Sequence, residues 1–325
     1  MKKAFRVGIM CWMCCAVCVA KPFKVTVRVL EEDGTPIAGK DVTCSITEAL
    51  APGFGWGGGK EVKISGTTDI HGICELRHGS PDGFAAIGIS SDAVHYGHSM
   101  GLRFTESSLL HWLPWNPTLE ITLSKKRDPV PLFVRSIKTV FPVEGESAGF
   151  DLLKADWVAP FGQGEESDFV FSKVEDAGGI QYLVGFSRNE DGYFLEKIPE
   201  YPAWVWRPGT KVLLEAPLEG YQHIALMATN ESIRYSGDSP CFQPNIHGTY
   251  FRIRTTIDEN GQVKKALYGK LYRGFNVTHM WYGPEMEFLY YLNPTPNDRN
   301  LEFDPKRNLA APPELKSWQR RYFSP

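Results

Sequence analysis

The sequence predicts a mostly β protein, a β-sandwich in front of a larger β-rich domain with few short helices, on three observations. Short runs alternate apolar and polar residues with the period of a half-buried strand, as in Lys24–Leu30. Clusters of Gly, Pro, Asp and Asn separate these runs at short intervals, as turns between strands do. Helical periodicity is scarce: the clearest case is 313–322, where Pro313 stands at a plausible first turn and Leu315, Trp318 and Tyr322 share a face.

The first twenty residues are of a different kind. Lys2, Lys3 and Arg6 form a positive start, Val7 to Val19 carries no charge, and Ala20 precedes Lys21-Pro22. This is the pattern of a removable secretory leader, and the apolar run is too short for a bilayer core that needs about 20 residues. The expectation is a mature chain from Lys21, secreted or periplasmic, with no transmembrane segment. Removal takes three bases and no acid, so the remainder is more acidic than the formal −3 of the whole chain. Without a basic cluster there is no electrostatic reason to bind nucleic acid or anionic lipid.

Within 21–125, strands are expected at 24–30, 41–46, 61–65, 72–77, 84–89 and 119–123, with turn chemistry in Glu31-Glu-Asp-Gly-Thr-Pro36. The order Val27-Arg-Val, Asp33-Gly-Thr-Pro-Ile-Ala-Gly39, Val42, then Gly66-Thr-Thr-Asp-Ile-His-Gly72 before Ile73-Cys-Glu-Leu76 resembles the carboxypeptidase regulatory-like domain. That resemblance covers about a third of the chain. It implies a transthyretin-like, immunoglobulin-type sandwich with an accessory, non-hydrolytic role. The chain departs from the pattern with a Gly-rich segment at 53–60 and a long stretch at 91–117.

Lys125-Lys-Arg-Asp-Pro-Val-Pro131 reads as a linker, so 126–325 forms the second domain. Strands are expected there at 169–171, 182–187, 193–198, 211–215, 250–257, 264–271 and 288–292. Asn189-Glu-Asp-Gly192 and Asp258-Glu-Asn-Gly261 read as hairpin turns. This region, including Tyr291-Leu-Asn-Pro-Thr-Pro-Asn-Asp-Arg-Asn-Leu-Glu-Phe-Asp304, resembles the body of secreted bacterial proteins that carry such a sandwich in front. That resemblance implies no particular activity.

Candidate chemistry is sparse. Four of the seven cysteines fall in the leader, leaving Cys44, Cys74 and Cys241. Cys44 and Cys74 lie in two expected strands of one region and are either a disulfide or two buried thiols. No C-x-x-C follows residue 20, which argues against a zinc ribbon or a thioredoxin-type site. Gly145-Glu-Ser-Ala-Gly149 matches the nucleophile elbow of α/β-hydrolases, but Pro142 before it and the lack of a strand–helix alternation make Ser147 a surface-loop residue. Gly53–Lys60 lacks the Ser or Thr that a phosphate loop needs, since Glu61 follows. Phe54 and Trp56 there form either a contact tip or part of an ordinary hairpin loop.

His95 and His98 stand near Asp92, but the reading as exposed loop histidines outweighs a metal site. Asp298, Asn300, Glu302 and Asp304 alternate along an extended segment. They form either a calcium site or a set of Asx turns and ion pairs with Arg299 and Arg307. An EF-hand is excluded, because Phe303 and Leu309 occupy its Gly and Glu positions.

Aromatic residues make up 13% of the chain, with Trp112 and Trp115, Trp204 and Trp206, and Trp281 and Tyr282 in close pairs. Trp204 and Trp206 at strand spacing, between Pro202 and Pro208, form either a ligand platform on an edge strand or core packing. The expected function is a non-catalytic binding or scaffolding protein without a cofactor, contacting a glycan or an envelope protein. The alternative is a secreted hydrolase whose site residues are dispersed along the sequence.

Overall fold

The computed structural model describes residues 21–49, 59–80, 83–104, 106–108, 110–142, 147–176, 179–197, 200–207, 209, 212–230, 246–280 and 283–310. Residues 1–20, Phe54, Trp56, Cys241, the Trp281–Tyr282 pair and the helix expected at 313–322 lie outside them. The described residues are all β, and they contain no helix long and apolar enough to cross a membrane. They form two compact units. Unit 1 takes the described residues of Met1–Ser90, Ser99–Thr122 and Pro202–Pro208; unit 2 takes those of Ser91–His98, Leu123–Tyr201 and Gly209–Pro325.

Unit 1 opens with β1 (Lys21–Leu30), β2 (Asp41–Ala49), β3 (Gly59–Thr67), β4 (Ile73–Ser80) and β5 (Phe84–Ile89). Then follow β6 (His98–Arg103), the short ribbon of β7 (Glu106–Ser107) and β8 (Trp112–Leu113), and β9 (Thr118–Thr122). One sheet has the order β4-β1-β9, with β1 antiparallel to β4 and parallel to β9. The second sheet runs β6-β5-β2-β3 and gains a further edge strand from later in the chain. The alternation read in the sequence is the burial pattern: Phe23, Val25, Val27 and Val29 of β1 are fully buried, as are Val42 and Cys44 of β2. Strands β2 and β3 contact β4, which makes the pair of sheets a sandwich around this apolar layer.

The two turn motifs of this region lock together. Thr68 is buried; its hydroxyl donates to the Ile37 carbonyl at 2.7 Å and accepts the Lys40 amide at 2.9 Å. The Asp69 carboxylate accepts the amides of His71 and Ile73, both at 2.9 Å, which closes the Thr-Asp-x-x-Gly turn. Gly72 has φ +73, and a Cβ there would lie 2.5 Å from the Val29 carbonyl oxygen. Only glycine satisfies both the left-handed backbone and that approach.

Cys44 and Cys74 are free thiols, so the alternative of two buried cysteines is the one observed. They stand on strands of different sheets, and each packs as a small hydrophobe. Burial pushes the Cys44 thiol up to about 12, and burial followed by the charges of Asp69 and Glu75 raises Cys74.

Unit 2 contains β10 (Phe133–Val140), β11 (Ala148–Asp151), β12 (Asp156–Trp157), β13 (Phe169–Asp176), β14 (Gly179–Gly185) and β15 (Gly192–Lys197). After β16 (Val205–Arg207), which belongs to unit 1, come β17 (Leu226–Asn230), β18 (Ile246–Ile257), β19 (Val263–Met280) and β20 (Gly283–Asn293). They form one sheet in the order β10-β20-β19-β17-β14-β13-β11-β12, with β18 also on β19 and β15 on β18. The long β19 carries β18 along its first part and β17 at Asn276–Val277. The unbroken apolar run at the end of β20 is buried on both sides: Phe288, Tyr290 and Leu292 enter one core, and Leu289 and Tyr291 enter another. Much of the aromatic content is spent on the larger core. Phe150, Phe169, Phe171, Phe275 and Phe288 meet there, mostly edge to face, at centroid distances such as 5.3 Å for Phe275–Phe288.

Two local expectations are corrected. Asn189–Gly192 is not a hairpin turn, because β15 pairs with β18 while β14 pairs with β13 and β17. Of the strand expected at 211–215, the described residues 212–215 show one bridge, Glu215 to Asn300. The Asp258–Gly261 turn does join β18 to β19, with the Asp258 carboxylate accepting the amides of Asn260 and Gln262.

Candidate functional site

β16 lies at the edge of the five-stranded sheet of unit 1, beside β6. Only three residues long and with a register shift, it follows Pro202, whose carbonyl accepts the Val205 amide at 2.8 Å. Strand alternation puts Val205 into the core and turns Trp206 outward, 53% exposed. Trp204 stands in the turn before the strand, half-buried, so of the two indoles weighed as a platform or as core packing only Trp206 is exposed. The Trp204 carbonyl accepts the Arg103 amide at 2.7 Å, which fixes the end of β6 against the turn.

Beside Trp206 stands Phe84, and over Phe84 stands Arg103, neither of which the sequence reading identified. The Phe84 ring meets the indole edge to face at 6.0 Å and 88°. The Arg103 guanidinium lies 5.1 Å from the centre of the Phe84 ring. On β5 the positions that share a side with Phe84 are Ala86 and Gly88, and Cys44, Ile87 and their neighbours fill the opposite, buried side. The outcome is a shallow face: an exposed indole, a phenyl ring and an arginine beside a floor of small residues.

Trp115, also in unit 1, provides a contrast. It is 37% exposed, and its ring is already engaged by His111 at 4.6 Å and by Arg77 at 5.4 Å. Trp112 donates its indole N–H to the Ser80 carbonyl at 2.8 Å.

The four oxygen-bearing residues at 298–304 are engaged by hydrogen bonds and an ion pair within the protein. Glu302 is buried and accepts the Tyr96 hydroxyl at 2.6 Å, the Arg127 amide at 2.9 Å and the Asp128 amide at 2.8 Å. Asp298 accepts the Asn300 amide, the Asn300 side chain accepts the Glu302 amide, and Asp304 pairs with Arg307 at 2.6 Å. The stretch read as a linker is thereby pinned to Glu302. A cleft of about 420 Å³ is lined by Arg127, Glu215, Asp298, Arg299 and their neighbours. Within it Glu215 pairs with both arginines, with Arg299 at 2.6 Å and with Arg127 at 3.5 Å.

Ser147 is exposed and is followed directly by the strand β11, where a nucleophile elbow needs a helix. His95 is buried rather than exposed, and Asp92 accepts its amide at 2.7 Å. Among the described residues no three His, Cys, Asp or Glu side chains gather as a metal site.

A charged cluster in unit 2 escaped the sequence reading entirely. Arg254, at φ 52 in a bulge of β18, donates to Asp168 through Nε and Nη2, each at 2.9 Å, and to Asp151 at 2.9 Å. Burial alone would raise the Asp151 carboxyl, but the amides of Lys154, Glu166 and Glu165 and then the Arg254 charge hold it below its usual range. These carboxylates are occupied by protein donors, so the cluster ties β11, β13 and β18 together.

Neither a protein-family model nor a curated protein sequence matches the chain.

Proposed function

We propose that the chain is a non-catalytic binding protein that works outside the cytoplasm and holds a glycan on the outer face of unit 1. The observation that carries this reading is Trp206, a large ring 53% exposed at a sheet edge with Phe84 against it and Arg103 over Phe84. An indole left in water is costly, and bare aromatic surface marks contact sites. A flat ring beside small residues suits the apolar face of a sugar better than a peptide side chain, which needs a pocket. The leader pattern at 1–20 supports export, and the resemblance to a carboxypeptidase regulatory-like sandwich supports an accessory role. An envelope protein as partner is the competing occupant of the same face.

The test is retention on a panel of immobilised polysaccharides, comparing the wild type with Trp206→Ala. We expect at least one polysaccharide to retain the wild type, and Trp206→Ala to lose that retention while its melting temperature moves by no more than a degree or two. Retention equal to wild type by Trp206→Ala, or no retention of the wild type by any glycan, overturns the proposal.

A further inference from the structure

We infer that the glycan held by this face carries carboxylates, as a uronic acid polymer does, and that Arg103 recognises them; this rests on the glycan-binding reading above. Arg103 is exposed at the end of β6, and its backbone is fixed by the bond to the Trp204 carbonyl. Its guanidinium lies over the Phe84 ring at 5.1 Å. Phe84 in turn meets Trp206 at 6.0 Å, so the cation and the exposed indole belong to one surface.

Several arginines are spent on carboxylates, as Arg254 is on Asp151 and Asp168, Arg299 on Glu215, and Arg307 on Asp304. Among the described residues no carboxylate pairs with Arg103. A planar guanidinium with an open fork matches a carboxylate with two parallel hydrogen bonds, and stacking on a ring holds the fork in place before the ligand arrives. The chain as a whole is acidic, formally −3, so general attraction does not draw a polyanion to it. Preference for an acidic polymer must come from a local cation such as this one.

An acidic peptide is disfavoured as occupant for two reasons. Strand addition needs a run of free backbone, and β16 has three residues with a register shift. Side-chain recognition needs pockets, and the floor beside Phe84 consists of Ala86 and Gly88, where a Cβ on Gly88 would already lie 3.1 Å from the Thr43 hydroxyl.

The experiment uses the full mature chain and calorimetric titration with three probes: polygalacturonate, its fully methyl-esterified form, and polyglutamate. The variants are Arg103→Gln, Arg103→Lys and Trp206→Ala. The wild type is expected to bind polygalacturonate about tenfold tighter than the ester, the scale of one charge-assisted bidentate contact. Arg103→Gln should bring polygalacturonate down to the affinity of the ester and leave the ester unchanged. Arg103→Lys, which keeps the charge but not the fork, should fall between, and Trp206→Ala should lose both polymers.

Equal affinity for acid and ester, or a preference that survives Arg103→Gln, overturns the inference and leaves the glycan-binding reading standing. Tighter binding of polyglutamate than of polygalacturonate overturns it in favour of an acidic peptide. Binding of neither galacturonan overturns it too, and the panel of neutral polysaccharides then decides the broader reading separately.

Discussion

Lys270 of β19 is buried in unit 2, with its ammonium donating to the Leu213 carbonyl at 2.7 Å and lying 4.7 Å from the centre of the Tyr291 ring. Burial pushes it down to about 7, and the charge of Glu302 opposes this only in part. In the unfolded chain the same amine titrates near 10.5. Between these values the unfolded state binds the extra proton, so this residue makes stability rise with pH from about 7 to about 10.5, and its penalty is full below 7. Lys270→Met should therefore stabilise unit 2 by a few kcal/mol at pH 6 and by clearly less at pH 9, where the lost bond to Leu213 offsets a smaller penalty. Urea melts at the two pH values measure this, and a gain independent of pH would contradict it. At this scale the sequence announced Trp206, because the flanking prolines and the strand spacing are local. It could not announce Phe84, which reaches the indole from β5, or Arg103, which lies over Phe84 from β6, each about a hundred residues away in the chain.

The β-strands that were legible are those whose burial follows from alternation alone, as with β1 and β5. The Asp258–Gly261 turn was legible because its Asx bonds are internal to the turn. Asn189–Gly192 has similar turn chemistry and misled, because turn residues specify a reversal and not the partner strand; β15 finds β18 instead. Glycines inside strands mark another tertiary fact. Gly269 of β19 lies opposite Phe251 of β18, whose ring covers it; an added methyl would overlap that ring and sit 2.6 Å from the Tyr291 carbonyl oxygen. Gly269→Ala should destabilise the chain by about 1–3 kcal/mol, the cost of overpacking a filled core, which thermal unfolding would register as a clear drop. An unchanged melting temperature would show that β18 and β19 do not pack in this register.

At the scale of the whole molecule, the mostly β architecture followed from composition and turn spacing, whereas the construction of the two units did not. The short segments Ser91–His98 and Pro202–Pro208 each belong to the unit other than the one their sequence neighbours form. No periodicity encodes that, because it depends on which sheet edge is open to receive a strand. The Trp206 face exists only through such an assignment, since β16 completes the five-stranded sheet of unit 1 from a position beyond β15. The Trp206 face fixes where a ligand must sit. Hydrogen–deuterium exchange of the full chain, with and without a retained polysaccharide, locates it without any substitution. Added protection should appear at 84–88, 99–103 and 205–207. Protection confined to 127–128, 214–216 and 297–302, the residues that line the cleft of unit 2, would contradict the account and move the binding site there.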